Sequence, residues 1–332
     1  MKAGGRKHLL ARARAAVLAL CLGATSAGYA AVSPRDDEPD ALKSATVLVI
    51  DEQTGEVLYG KNTTAVAPIA SITKLMTAIV TLDANLPLDE RVSITEDDVD
   101  TYKGTRSRLP VGTALTRAEM LHLALMASEN RAASSLGNSY PGGQAAFVAA
   151  MNAKALELGM KDTRFVEPTG LSSDNVSSAP DLAKLVTAAK GYPLIREYST
   201  STAYEVEIRG RRVAFGNTNG LVRSGDWDIG ISKTGFIREA GRCLVMQARV
   251  AARSVIIVLL DSWGSFTRIA DAARIRAWLE PGYALPAPPP TARKASGKAS
   301  VKQVAKSGKG NVKAAKGANG RVQVQMKAPK PR

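Results

Sequence analysis

The stretch IASITKLMTA, residues 69–78, sets a serine and a lysine three positions apart among small and apolar residues. Positions i and i+3 share one face of a helix, so Ser71 and Lys74 meet if the segment is helical. A hydroxyl is a poor nucleophile until a base takes its proton. A lysine amine can be that base once burial or neighbouring cations favour its neutral form. A serine at a helix start also offers a backbone N–H aimed where negative charge develops. Alone the pattern is weak, because a helix-capping serine followed by a solvated lysine reads the same way. Two further stretches strengthen it. SEN at 128–130 closes an apolar helical run, which puts Ser128 and Asn130 on a tight connection. KTG at 233–235 falls in a run of strand character, where Lys233 brings a cation, Thr234 a hydroxyl and Gly235 room for a substrate backbone. An extended peptide can add to the edge of such a strand through main-chain hydrogen bonds.

Composition removes the competing chemistries. The 332-residue chain has a net charge of +15, but five Lys/Arg and no acid lie in residues 1–30, and twelve Lys/Arg and no acid in residues 283–332. The body between holds 28 bases against 30 acids, so the charge belongs to the two ends and does not argue for nucleic acid. Residues 1–30 read as a signal peptide: a basic start, the apolar run AAVLALCLGAT, and small residues Gly28 and Ala30 before the cleavage point. A lipid-anchored start at Cys21 is disfavoured by the large Leu20 before it. Once the signal is removed, Cys243 and His122 are the only cysteine and histidine, which excludes an internal disulfide and a Cys/His zinc site. His122 sits in the apolar helical run MLHLALM and reads as a core or flanking residue, with no nucleophile turn nearby to form a Ser-His-Asp triad. The lysine takes the place of the missing histidine.

The elements that must position these groups follow from the pattern. Residues 31–43 (AVSPRDDEPDALK) read as a flexible leader. ATVLVIDEQTGEVLYGKN is a hairpin, SITKLMTAIVTLDA a helix with Ser71 at its edge, and TRAEMLHLALMAS a second helix ending at SEN. GQAAFVAAMNAKALELGM and APDLAKLVTAAKGYPLIREYS add further helix. After residue 200 the period becomes that of strands: a hairpin at YEVEIRGRRVAFGN, then WDIGISKTGF, RCLVMQARVAA and SVIIVLLD, closed by the helix SFTRIADAARIRAWLE. If the first and last strands share one sheet, residues 44–282 form a single α+β body with an inserted helical lobe. Residues 283–332, rich in Lys, Ala, Gly and Pro, bury too little apolar surface to order and read as a disordered basic tail.

The ordered set Ser-x-x-Lys, Ser-x-Asn, Lys-Thr-Gly resembles that of the low-molecular-mass penicillin-binding proteins, the serine D-alanyl-D-alanine peptidases. The resemblance spans roughly residues 42–282 and looks closest to their D,D-endopeptidase branch, through ASENRAASSLG, DTRFVEPTGLSSDNVS, FGNTNGLV and SKTGFIREAGRCLVM. It implies the penicillin-binding protein/β-lactamase-like fold, an antiparallel sheet flanked by helices. It implies Ser71 as the acylated nucleophile, Lys74 as general base and Ser128 as proton relay to the leaving amine, tuned by Lys233. Asn130 would bind the substrate peptide, Gly235 would let its backbone approach, Lys233 and Thr234 would bind its carboxylate end, and the backbone N–H groups of Ser71 and Phe236 would form the oxyanion hole. The implied substrate is a peptidoglycan peptide cross-link, the implied covalent inhibitors are β-lactams, the location is the periplasm, and no metal or organic cofactor is required.

Three alternatives accompany that reading. A D,D-carboxypeptidase would remove terminal D-Ala, although the end of the chain has neither the added β domain nor the amphipathic anchor usual in that branch. A β-lactamase would need a deacylating glutamate. Glu167 in FVEPTGL could mimic it, but the residue four positions on is Leu171 where that family has Asn, so Glu167 reads as a loop-shaping residue. A non-catalytic penicillin-binding sensor or wall scaffold would retain acylation alone. The basic tail fits either anionic wall or lipid polymers or a solvated spacer. Cys243 reads as a strand core residue or as a partly exposed thiol near the site.

Overall fold

The computed structural model describes residues 39 and 41–282. The expected signal peptide, most of the leader and the basic tail lie outside the described residues. The chain opens with β1 (Ser44–Asp51) and β2 (Val57–Lys61). Their turn is set by the Asp51 carboxylate, which accepts from the N–H groups of Gln53 and Thr54 at 3.0 and 3.1 Å. The short β3 (Ala67–Pro68) and a 3-10 turn at Ala70–Ile72 lead into α1 (Thr73–Asp83). The helical lobe follows: β4 (Arg91–Ser93), β5 (Ala114–Thr116), α2 (Arg117–Met126), α3 (Asn130–Asn138) and α4 (Gly143–Glu157), then β6 (Val176–Ser177), α5 (Ala179–Lys190) and α6 (Pro193–Thr200). A separate hairpin of β7 (Ala203–Ile208) and β8 (Arg211–Gly216) and the short α7 (Gly220–Ser224) precede three long strands. These are β9 (Asp228–Ile237), β10 (Gly241–Val250) and β11 (Arg253–Ser262), and α8 (Thr267–Leu279) closes the body.

The main sheet runs β2-β1-β11-β10-β9 and is antiparallel throughout. β1 pairs with β11 from Ser44 opposite Ser262 to Asp51 opposite Val255, so the first and last strands do share one sheet. The side-chain period of two divides each strand between two cores. Val47, Val49, Leu244, Met246, Ile257 and Leu259 pack beneath Ala272 and Ile275 of α8. Leu48, Ile50, Val245, Ile256 and Val258 face the helical lobe. A sheet covered on both faces needs near-continuous apolar strands, which is why SVIIVLLD lacks polar alternation.

The ordered body reaches back before residue 44. Leu42 is buried in the α8 core, and the Lys43 N–H donates to Asp271 at 3.0 Å. Asp271, itself fully buried, also accepts from Ser44 N–H and Ser44 Oγ at 2.7 Å each and from Arg274 at 2.8 Å, locking the start of β1 to α8.

Two features of the lobe matter for the chemistry. Residues Thr73–Thr81 of α1 are all buried, so this helix runs through the middle of the molecule rather than along its surface. α2 begins with a reciprocal cap, the Thr116 hydroxyl accepting from Glu119 N–H while the Glu119 carboxylate takes the Thr116 N–H, and ends at Met126, just before the SEN connection. α3, which starts at Asn130, is not visible in the apolar pattern, because NRAASSLGN packs with alanines and one leucine instead of bulky residues.

Candidate active site

Lys74 lies on the first turn of the buried α1 and is fully sequestered from solvent. Its Nζ donates to Ser71 Oγ at 2.9 Å, Asn130 Oδ1 at 2.7 Å and the Thr169 carbonyl at 2.6 Å. Three acceptors match the three hydrogens of an ammonium group. Burial nevertheless lowers its pKa from 10.5 to about 8, against the pull of the Glu167, Glu129 and Asp100 charges in the opposite direction. The neutral amine, with a lone pair free to face Ser71, is therefore a substantial species close to neutral pH.

The backbone under Ser71 is gripped from two sides. Ala70 adopts a left-handed φ of +47°, uncommon for a residue with a side chain. Gly170, at φ +80°, lies so close that a Cβ there would come within 2.0 Å of the Ala70 carbonyl oxygen. A Cβ on Gly235 would meet the Ile69 carbonyl oxygen at 2.9 Å. Glu167 shapes the loop that delivers Gly170 and the Thr169 carbonyl. Its carboxylate accepts from Thr169 N–H (2.6 Å), Thr169 Oγ1 (2.5 Å), Gly170 N–H (2.6 Å), Ser172 N–H (3.3 Å) and Asn175 Nδ2 (3.0 Å). With five donors of its own loop on it, Glu167 has the loop-shaping role expected from the sequence. Asn175 ties the loop to the turn that carries Ser71, its Nδ2 reaching Thr73 Oγ1 and its carbonyl accepting from Ile69 N–H.

A second lysine–serine pair faces the first. Ser128, at a left-handed φ of +58°, turns the chain between α2 and α3. Lys233 Nζ donates to Ser128 Oγ at 2.8 Å and to the Thr234 carbonyl at 3.0 Å. Lys233 is also buried, and its pKa is pushed well down by desolvation and by the Lys74 and Arg268 charges. Asn130 Nδ2 reaches Thr105 Oγ1 at 3.0 Å, so its amide bridges Lys74 to the loop across the cleft. β9 is the outer strand of the sheet, leaving one edge of KTG open. Ser71, Ser128, Asn130, Thr234, Gly235 and Phe236 all line one cleft of about 730 Å³, with Lys74 and Lys233 beneath it. The residues of the three motifs thus meet in or directly beneath one cleft.

Three contributors lie outside the Ser-x-x-Lys, Ser-x-Asn and Lys-Thr-Gly motifs, although Thr218 falls within the quoted stretch FGNTNGLV. Thr218 accepts the Thr234 hydroxyl at 2.7 Å. Arg268, on α8, lines the cleft and donates to the carbonyls of Gly235 and Cys243 at 2.9 Å each. Lys103 pairs with Glu239 at 2.5 Å, joining the rim loop to the β9–β10 turn. None has a spacing that marks it. Arg268 reads only as one charge on an amphipathic helix.

The two residues held aside are also placed. Cys243 is fully buried opposite Gly235, with burial raising its pKa to about 11, so of its two readings the strand core residue holds and the partly exposed thiol does not. His122 stacks against Tyr198 and Tyr204 at 4.3 and 4.0 Å, its pKa lowered to about 4 by burial, and it does not line the cleft.

A sequence profile described as D-alanyl-D-alanine carboxypeptidase, peptidase family S11, matches residues 33–264. The chain belongs to family S11. Among the relatives of this S11 enzyme is a D-alanyl-D-alanine endopeptidase of Pseudomonas aeruginosa, 49% identical over 276 residues that cover 81% of this chain and 89% of that protein. A D-alanyl-D-alanine endopeptidase of Escherichia coli is 45% identical over 276 residues, covering 82% and 89%. The crystal structure of the Streptomyces K15 DD-transpeptidase superimposes with a TM-score of 0.67 at 29% identity, covering 73% of this chain and 98% of that one. The fold is the α+β penicillin-binding protein type that the resemblance implies. Among the described residues, no helix of the S11 body is long and apolar enough to cross a membrane.

Proposed function

We propose that this S11 peptidase is a serine D,D-endopeptidase that hydrolyses D-alanyl cross-bridges of peptidoglycan through an acyl-enzyme on Ser71. The observation that carries the proposal is the contact of the buried Lys74 Nζ with Ser71 Oγ at 2.9 Å. The neutral amine takes the hydroxyl proton as Ser71 Oγ attacks the D-Ala carbonyl carbon. The resulting oxyanion sits between the backbone N–H groups of Ser71 and Phe236. As the C–N bond breaks, Ser128 hands its proton to the leaving amine and regains the one that Lys74 took from Ser71, with Lys233, 2.8 Å away, tuning its hydroxyl. Water then hydrolyses the ester. The substrate strand lies against the open edge of β9, with the Asn130 amide on its backbone and Thr234, Lys233 and Arg268 around the carboxylate beside the leaving amine. A β-lactam enters the same path and stays on Ser71.

The high identity to endopeptidases over nearly the whole body favours this reading over terminal trimming. The occupied carboxylate of Glu167 favours it over β-lactam turnover. Export through a signal peptide ending at Ala30, and attraction of the basic tail to anionic wall or lipid polymers, complete the proposal. The mass of the mature periplasmic protein, and the retention on purified sacculi of chains with and without residues 283–332, test these two points.

The central test incubates the mature protein and a Ser71→Ala variant with cross-linked dimeric muropeptides. Release of monomers by the wild type alone is expected. Loss only of terminal D-Ala from pentapeptide monomers would replace the endopeptidase by a carboxypeptidase. Stable penicilloylation with neither product would replace it by a sensor or scaffold.

A further inference from the structure

The cleft continues past the reacting groups. Ser128 is tied to Lys233, next to Thr234, so the amine it protonates departs toward the Thr234 end of β9 and toward its partner Thr218. The stem peptide that keeps the acyl group then lies the other way, along Phe236–Glu239 and facing Tyr102 and Lys103. Beyond Thr218 and Arg268, which line both spaces, a second cavity of about 380 Å³ opens. Its walls include Leu221, Arg223, Trp227, Phe266 and Ile269, with one acid, Asp226, against the two guanidinium groups. Arg276, paired with Glu280 at 2.8 Å, stacks over the Trp227 ring at 5.1 Å and braces that wall.

The chemistry of the leaving group gives this space a use. A terminal D-Ala departs with only a methyl group beside its amine and carboxylate. In a cross-link, the amine-bearing carbon continues instead into a long arm that leads to a second stem peptide, whose free carboxylates make it anionic. An enzyme that trims ends needs no room past the carboxylate's cradle, whereas one that opens cross-links needs a channel at that point. Thr218 is a small threshold, and the walls beyond it combine apolar surface for methylenes with guanidinium groups for carboxylates.

We propose that the cavity beyond Thr218 and Arg268 holds the arm and second stem peptide of the leaving strand, and so sets the preference for cross-linked dimers over single stems. This rests on the endopeptidase reading above. Ser224 and Ser265 are exposed rim residues on different elements, so Ser224→Trp and Ser265→Trp are two independent plugs. The readouts are kcat/KM on a dimeric muropeptide and the rate of Ser71 acylation by benzylpenicillin, which brings no second strand. Each plug is expected to cost dimer cleavage at least tenfold while acylation stays within twofold. Undiminished dimer cleavage in both plugged variants would overturn this inference and leave the endopeptidase intact, as would equal losses of cleavage and acylation. A wild type that trims monomers but opens no dimer would remove the endopeptidase reading and this inference together.

Discussion

The burial of Lys74 sets the pH dependence of acylation. With a pKa of about 8, roughly one-tenth of the amine is neutral at pH 7 and about nine-tenths at pH 9. If the neutral amine is the base, the second-order rate of Ser71 acylation by benzylpenicillin rises about tenfold across that window and levels off above it. A lysine at the ordinary value would be neutral in only about 0.03% of molecules at pH 7 and about 3% at pH 9, a rise of about a hundredfold with no plateau. The shape of the curve therefore separates a dry base from a solvated one. Stopped-flow competition with a reporter β-lactam supplies the rates. Lys233→Arg provides a control, since its cation does not titrate in this range and the tenfold rise should persist at a lower absolute rate. A hundredfold rise would refute the depressed pKa, and a flat profile would refute Lys74 as the titrating base.

Two predictions concern the frame around the site. Gly170→Ala must combine a left-handed backbone, costing about 1–2 kcal/mol, with a Cβ driven into the Ala70 carbonyl. The variant should lose at least that much stability by denaturant titration, and acylation at least tenfold, because the displaced atoms carry Ser71. Unchanged acylation would show that the turn is not held in this way. Asp271→Ala leaves the buried Ser44 N–H and the more exposed Lys43 N–H without their acceptor, a loss of about 1–3 kcal/mol. It lies on the α8 face of the sheet, so the acylation rate of the remaining folded protein should be unchanged. A parallel fall in acylation would mean that the clamp reaches the cleft.

Much of the site was legible because its parts are local. The i, i+3 spacing of Ser71 and Lys74, the stop at SEN and the strand around KTG depend on a few neighbouring residues each, and each element formed where its pattern placed it. The two-sided burial of β10 and β11 was likewise written in their apolar runs. What could not be read is what arrives from a distance. The Thr169 carbonyl reaches Lys74 only because Glu167 folds its loop around itself, and Thr218 and Arg268 reach the cleft through the stacking of α7 and α8 on the sheet. No periodicity encodes such meetings. α3 escaped for another reason, since alanine and serine pack a helix closely without an apolar signature. Cys243 stayed ambiguous because strand alternation gives two faces but not which of them is covered.

The pairing of β1 with β11 has a consequence for how the molecule comes into being. The central neighbour of the first strand is nearly the last to be synthesised, with Ser44 meeting Ser262 across most of the body. Closing so long a loop is entropically costly and slow. Until β11 emerges, β1 has only its hairpin partner, and a lone hairpin is marginal in water. A growing chain therefore cannot complete its central sheet until β11 has been made. The same order of strands that buries α1 thus postpones completion of the fold until nearly the whole body has been made.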